Sequence, residues 1–287
     1  MVIPARVPSE AAANAGNAAD CARRAFAFAL IGAPFFGRAA AVAPPQTERV
    51  PILVFHRFAA TMVDSMTLRI ANYESQLRVL ESLSCQVISL AEWVAWRRAH
   101  AEGTAATLPP RTVVLTADDG HRSQFEVMAP LLLERSWPLT LFVYPSAISN
   151  VSYAMTWSQL RELAANPLVS VQSHTYWHPN LIRERGHMEP DAFQRFAADQ
   201  LTRSRDTIEQ KLSRPVTLLA WPFGLSDDGL AAQAIAAGYR SAFSLGNRSA
   251  GLTDPLYAVP RHLIVDSVDA RQLAARLEAA FDERTSQ

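Results

Sequence analysis

From residue 50 onward the chain alternates short apolar, β-branched runs with stretches of helical periodicity, and nothing else in it limits the fold as tightly. Strands are expected at 51–56, 86–90, 112–117, 139–144, 168–172, 217–221, 239–245 and 257–265. Helices are expected at 73–83, 90–100, 125–134, 156–165 (with Thr156 as N-cap), 190–212, 226–237 and 268–281. In the 125–134 helix, Val127, Leu131 and Leu132 are expected to face inward. No internal repeat or low-complexity tract follows residue 45. Such alternation is the sequence form of an α/β barrel or a doubly wound sheet. At 287 residues, 49% hydrophobic and 19% charged, the chain is long enough for one large domain.

Formal net charge is zero, which argues against a nucleic-acid surface. Two cysteines, Cys21 and Cys85, exclude a disulfide framework. Cys85 reads as a small buried hydrophobe. Residues 1–43 read as an export signal: Arg23-Arg24 before an apolar run from Ala25 to Phe36, then small residues Ala39 to Ala43. The Arg-Arg-x-Phe pattern is similar to a twin-arginine signal. The apolar run is too short for a membrane span. The expectation is an exported, periplasmic or extracellular protein, with residues 44–287 as its single catalytic domain and no transmembrane span once mature.

The run Val113 to His121 reads as a buried strand ending in Asp118, Asp119 and Gly120. On its own it reads sooner as a strand before an acidic turn, since Asp-Gly is a common turn pair. Other strands weigh against that. His56, His174 and Pro222 also stand at the carboxyl ends of expected strands, and in a barrel those ends converge on one face. Neighbours on a strand point to opposite sides, so both aspartates serve one site only if the strand breaks there; Gly120 permits the break. His174 and His178 are four apart, a spacing that brings two imidazoles to one side. Two histidines and one carboxylate make a three-ligand site for a divalent metal with a position left for water. The carboxylate that is not a ligand suits a general base, and His56 suits a general acid. Trp177, Tyr176 and Trp221 suit either sugar stacking or core packing.

Three motifs in order carry a family resemblance. Thr-Ala-Asp-Asp-Gly at 116–120 resembles the Thr-Phe-Asp-Asp-Gly of the polysaccharide deacetylases, carbohydrate esterase family 4. Ser-His-Thr-Tyr-Trp-His-Pro at 173–179 resembles their second motif, and Trp-Pro-Phe-Gly at 221–224 part of the third. The resemblance implies a distorted (β/α) barrel of about seven strands. It makes Asp118 the base, and Asp119, His174 and His178 the ligands of one divalent transition metal, commonly zinc, with cobalt or nickel as alternatives. It assigns the backbone N–H of Phe223 to the oxyanion, and implies removal of acetyl groups from an N-acetylated amino-sugar polymer.

The chain departs from the family pattern in three places. Ala117 replaces the usual Phe. Ala220 falls where the family has the arginine that orients the base, so Arg261 or Arg122 is the expected substitute. The C-terminal leucine-rich motif with its histidine is missing, and 52–56, Ile-Leu-Val-Phe-His, looks like that motif displaced to the start. The permuted order is similar to exported poly-β-1,6-N-acetylglucosamine deacetylases. Two other readings remain: a non-catalytic polysaccharide-binding protein, which Ala220 favours, and a metal hydrolase for another amide or ester.

Overall fold

Parallel pairing dominates the molecule. The computed structural model describes residues 49–282, so the expected leader at 1–43, with Cys21, lies outside the described residues. The strands are β1 (Ile52–Phe55), β2 (Arg57–Ala59), β3 (Thr67–Arg69), β4 (Gln86–Ile88), β5 (Thr112–Ala117), β6 (Leu139–Val143), β7 (Val169–Ser173), β8 (Leu218–Ala220), β9 (Ser241–Phe243) and β10 (His262–Leu263). The helices are α1 (Ile70–Ser82), α2 (Leu90–Ala101), α3 (Ala129–Glu134), α4 (Trp157–Ala164), α5 (Leu181–Arg185), α6 (Pro190–Leu212), α7 (Asp228–Ala236) and α8 (Ala270–Asp282). The main sheet runs β10-β1-β5-β6-β7-β8-β9, with β4 paired to β5 beside that path. A parallel bridge from Phe243 to Val259 ties β9 to the segment that enters β10, while His262 pairs with Leu53 of β1. The sheet thus curls into the expected barrel, as a half-barrel on a seven-strand path.

Strand alternation sorts the core into two layers. Val113, Leu115 and Ala117 of β5 join a cluster with Leu77 of α1, Leu160 of α4, Leu201 of α6 and Leu277 of α8. Val114 faces the other way and clusters with Ile52, Phe142, Ala220 and Phe243. Here α2 contributes Trp93, whose ring centroid lies 6.3 Å from that of Phe243. Each fully buried Leu or Val contributes about 1.5–3 kcal/mol relative to exposure. The alternation also decides the site: Thr116 and Asp118 continue the face of Val114, toward the barrel interior.

Capping defines several helices. Ser89 with Glu92 and Thr156 with Gln159 form capping boxes at α2 and α4. The 125–134 expectation needs correction. A π-helical turn over Gln124–Met128 precedes α3. The widened turn rotates the buried face onto Gln124, Met128, Ala129 and Leu132, leaving Val127 and Leu131 partly buried. The polar connection after β1 contains the separate parallel pair β2-β3, which has no apolar pattern to announce it. The 257–265 strand shrinks to β10 because Val259 pairs toward β9 and His262 toward β1, so the segment crosses between strands instead of following one. Cys85 is buried, and burial pushes its thiol up to about 11. Among the described residues no helix is long and apolar enough to cross a membrane.

Candidate active site

β5 ends at Ala117, and the two aspartates after it part company. Asp118 is buried inside the barrel against Arg261, which is itself fully buried. The guanidinium grips the carboxylate with two parallel bonds, Nη1 to Oδ1 at 2.8 Å and Nη2 to Oδ2 at 2.7 Å. Its Nε donates to the Ser244 carbonyl, and Nη1 also reaches Thr116 Oγ1, at 3.3 Å each. The ring of Phe142 lies 5.3 Å from its centre. Burial pushes the Asp118 carboxyl up, but the charge and hydrogen bonds of Arg261, with His174 and His56 nearby, together outweigh it and hold the group at about 2. Arg122 instead pairs with Glu126 at the surface.

Asp119 adopts φ +75° and Gly120 φ +68°. The break therefore starts at Asp119, one residue earlier than the glycine suggests. It swings the Asp119 carboxylate away from the helix layer and toward the histidines. Gly120 is required for fit as well as for φ: a Cβ there would sit 2.9 Å from Ile148 Cδ1 and 3.1 Å from Val143 Cγ1. Gly120→Ala is expected to destabilise the fold by about 1–3 kcal/mol, measured by denaturant unfolding.

The histidines stand on an irregular turn after β7, with Thr175 and His178 both at φ +63°. Their rings lie 4.6 Å apart, and each Nε2 is 3.6 Å from Asp119 Oδ1. One donor atom from each of Asp119, His174 and His178 falls within 4.8 Å of the others. His174 Nδ1 lies 2.8 Å from the Ala220 carbonyl. A carbonyl only accepts, so Nδ1 carries the proton and Nε2 presents its lone pair to the cluster. Burial, then the neighbouring His174, push His178 down to about 4, which keeps it neutral. A neutral imidazole pair with a carboxylate is a donor set that fits a divalent transition metal.

His56 follows β1 and lines the same cleft, a space of about 240 Å³ bounded also by Arg57, Met66, Asp118, Phe223 and Leu245. Its Nδ1 is buried without a hydrogen-bond partner among the described residues. Burial lowers its pKa, against the pull of Asp118 and Asp119. Gln124 donates to the carbonyls of both His56 and Asp118, joining the ends of β1 and β5. Phe223 sits at the cleft edge in a left-handed conformation, φ +59°.

Of the two readings left open for the aromatics, core packing fits Trp221. Trp221 lines the cleft wall but is 1% exposed, packs into the helix-side core, and donates its indole N–H to the Tyr257 carbonyl at 2.8 Å. Its ring has no free face for a sugar. Tyr176 has the Arg203 guanidinium 3.8 Å from its ring centroid. Trp177 is exposed and rests on Phe196, with ring centroids 6.0 Å apart. The rings that do border the cluster are Tyr144, 5.4 Å from His178, and Phe223, 4.8 Å from it. Neither ring was marked by sequence, because Tyr144 only ends a strand and Phe223 stands out for its backbone alone. The Ala220 carbonyl, as main chain, has no residue-type signal at all.

Solved structures share this fold. A deacetylase from Streptococcus pyogenes, PplD, in complex with acetate, superposes with a TM-score of 0.69 at 20% identity, over 80% of this chain and 99% of that one. IcaB from Ammonifex degensii gives 0.67 at 22% identity, over 81% and 98%. What is shared is the fold, a parallel half-barrel. Residues 105–242 match the family model described as polysaccharide deacetylase. His56 and Arg261 lie outside that match, one on each side. A relative named poly-beta-1,6-N-acetyl-D-glucosamine N-deacetylase, from Staphylococcus aureus, is 22% identical over 200 residues, 68% of this chain and 67% of its own length. One of the same name from Escherichia coli is 25% identical over 247 residues, 74% of this chain and 36% of its own length.

Proposed function

We propose that this protein hydrolyses the N-acetyl groups of an N-acetylglucosamine-containing polysaccharide, using one divalent metal held by Asp119, His174 and His178. The observation that carries this reading is the meeting of that three-donor cluster with an arginine-clamped carboxylate in one cleft. The metal, zinc with cobalt or nickel as alternatives, would supply Lewis acidity, polarising the acetyl oxygen and lowering the pKa of water.

The chain's own residues do the rest. Asp118, kept ionised by Arg261, takes a proton from the attacking water. The water oxygen bonds to the acetyl carbon, and the Phe223 N–H faces the oxygen on which charge develops. His56, in its protonated form, hands a proton to the departing amine as the C–N bond breaks; the proton taken by Asp118 then restores it, and the products are acetate and a free amino sugar. Ala220 supported a non-catalytic binding protein, since it leaves the base without its usual arginine; the Arg261 clamp on Asp118 removes that support. We also assign the chain to an exported compartment, where such polymers accumulate, with residues 1–43 as the export signal.

Acetate release from a panel of N-acetylglucosamine polymers tests the reading. Release is expected in the metal-loaded protein, is lost with a chelator, and returns when zinc, cobalt or nickel is added back. Release that survives complete metal removal overturns the metal dependence. No release from any N-acetylated polymer overturns the function.

A further inference from the structure

Four rings run in an unbroken row past the metal-ligand cluster. At one end Phe223 is 55% exposed and meets His178. His178 meets Tyr144, and the Tyr144 hydroxyl lies 2.6 Å from that of Tyr153. Tyr153, at the other end, is 45% exposed on the loop between β6 and α4.

Tyr153 is held firmly for so exposed a residue. The His121 ring lies nearly parallel to it, at 11° and 6.1 Å between centroids. His121 is fixed by Ser123 Oγ at 2.8 Å from its Nδ1 and by a backbone bridge to Ala154. The Arg122 N–H donates to the Tyr153 carbonyl at 2.8 Å. Folding gains little from ordering a half-exposed ring, whereas a ligand gains from finding it ordered. The charged side chains beside the ring are paired, Arg57 with Asp64 at 2.6 Å and Arg122 with Glu126 at 3.1 Å, while Asp119, which also acts on Tyr144 and His121, belongs to the ligand cluster. A rigid aromatic face with a phenol edge beside paired charges suits an uncharged, hydroxyl-rich ring: the apolar face of a pyranose stacks and its hydroxyls meet the tyrosine oxygens.

We propose that Tyr153, backed by Tyr144 and His121, is a stacking subsite for the sugar next to the one that loses its acetyl group. The inference rests on the polymer deacetylase reading above. It makes Tyr153 a determinant of chain-length preference, acting by binding the neighbouring unit of the same polymer.

The test is acetate release from N-acetylglucosamine oligomers of increasing length by the metal-loaded protein. In wild type, kcat/KM rises from dimer to pentamer. In Tyr153→Ala that rise shrinks by about fivefold to tenfold, carried mainly by KM, as loss of one aromatic stacking contact predicts. Tyr153→Phe retains most of it, because the ring stays. If Tyr153→Ala melts early, Tyr153→Gln gives the same reading with a polar side chain of useful bulk. An unchanged length dependence in Tyr153→Ala, or an equal loss in Tyr153→Phe, overturns the inference and leaves the function standing. A wild-type protein that releases no acetate from any oligomer overturns the function, and the subsite with it.

Discussion

Arg261→Met is expected to lower acetate release by about 10²–10⁴-fold, the range associated with losing a positioned base, while the metal stays bound. The arginine touches none of the three metal ligands and grips both oxygens of Asp118. Without it the carboxylate keeps its place on the chain but loses its orientation. It also loses the charge that offsets burial, so the Asp118 pKa rises and the acidic limb of the pH–rate profile moves to higher pH. Removing one partner of a buried pair, here with side chains 1% and 4% exposed, costs about 3–5 kcal/mol of stability. Arg261→Lys keeps the charge without the fork and should fall between the two. Denaturant unfolding and a pH series of acetate release check both parts. Normal turnover in Arg261→Met would remove the arginine from the machinery.

How far the sequence reveals this site depends on what kind of signal each part leaves. Asp118 was legible because it continues the alternation of Val114 and Thr116, a period that any reader can count. The histidine pair was legible by spacing, although the turn that carries it is irregular. Arg261 showed as a charge inside an apolar run, yet sequence could not choose between it and Arg122. The choice depends on the crossing of the 259–263 segment from β9 to β1, which brings residue 261 into the barrel. Trp221 stayed ambiguous. Sequence left it open between stacking and core packing, and alternation sends Ala220 to the interior cluster and most of Trp221 to the helix side, with only an edge at the cleft wall. The row Tyr144–Tyr153, with His121 beside it, joins residues from three separate stretches and leaves no periodic trace.

His174→Ala is expected to abolish metal binding and, with it, all acetate release above background. Three features make His174 the anchor of the cluster. It is 2% exposed, its Nδ1 is tied to a main-chain carbonyl, and its Nε2 faces Asp119. The ring is thus oriented before any metal arrives, and the orienting partner is backbone that side-chain substitution cannot delete. His178 is more exposed and is placed by a turn in a left-handed conformation, so His178→Ala should weaken binding while leaving two ligands in position. A readout independent of turnover separates loss of metal from loss of chemistry. A ligand that binds only the folded state at 100 times its Kd stabilises that state by about 2.7 kcal/mol. Zinc added to the stripped wild-type protein should therefore raise its Tm measurably, and should leave the Tm of His174→Ala unmoved. Asp118→Asn should still respond to zinc, because the proposed mechanism uses its carboxylate as the base and not as a ligand. A metal-dependent rise in His174→Ala equal to that of wild type would place the metal elsewhere.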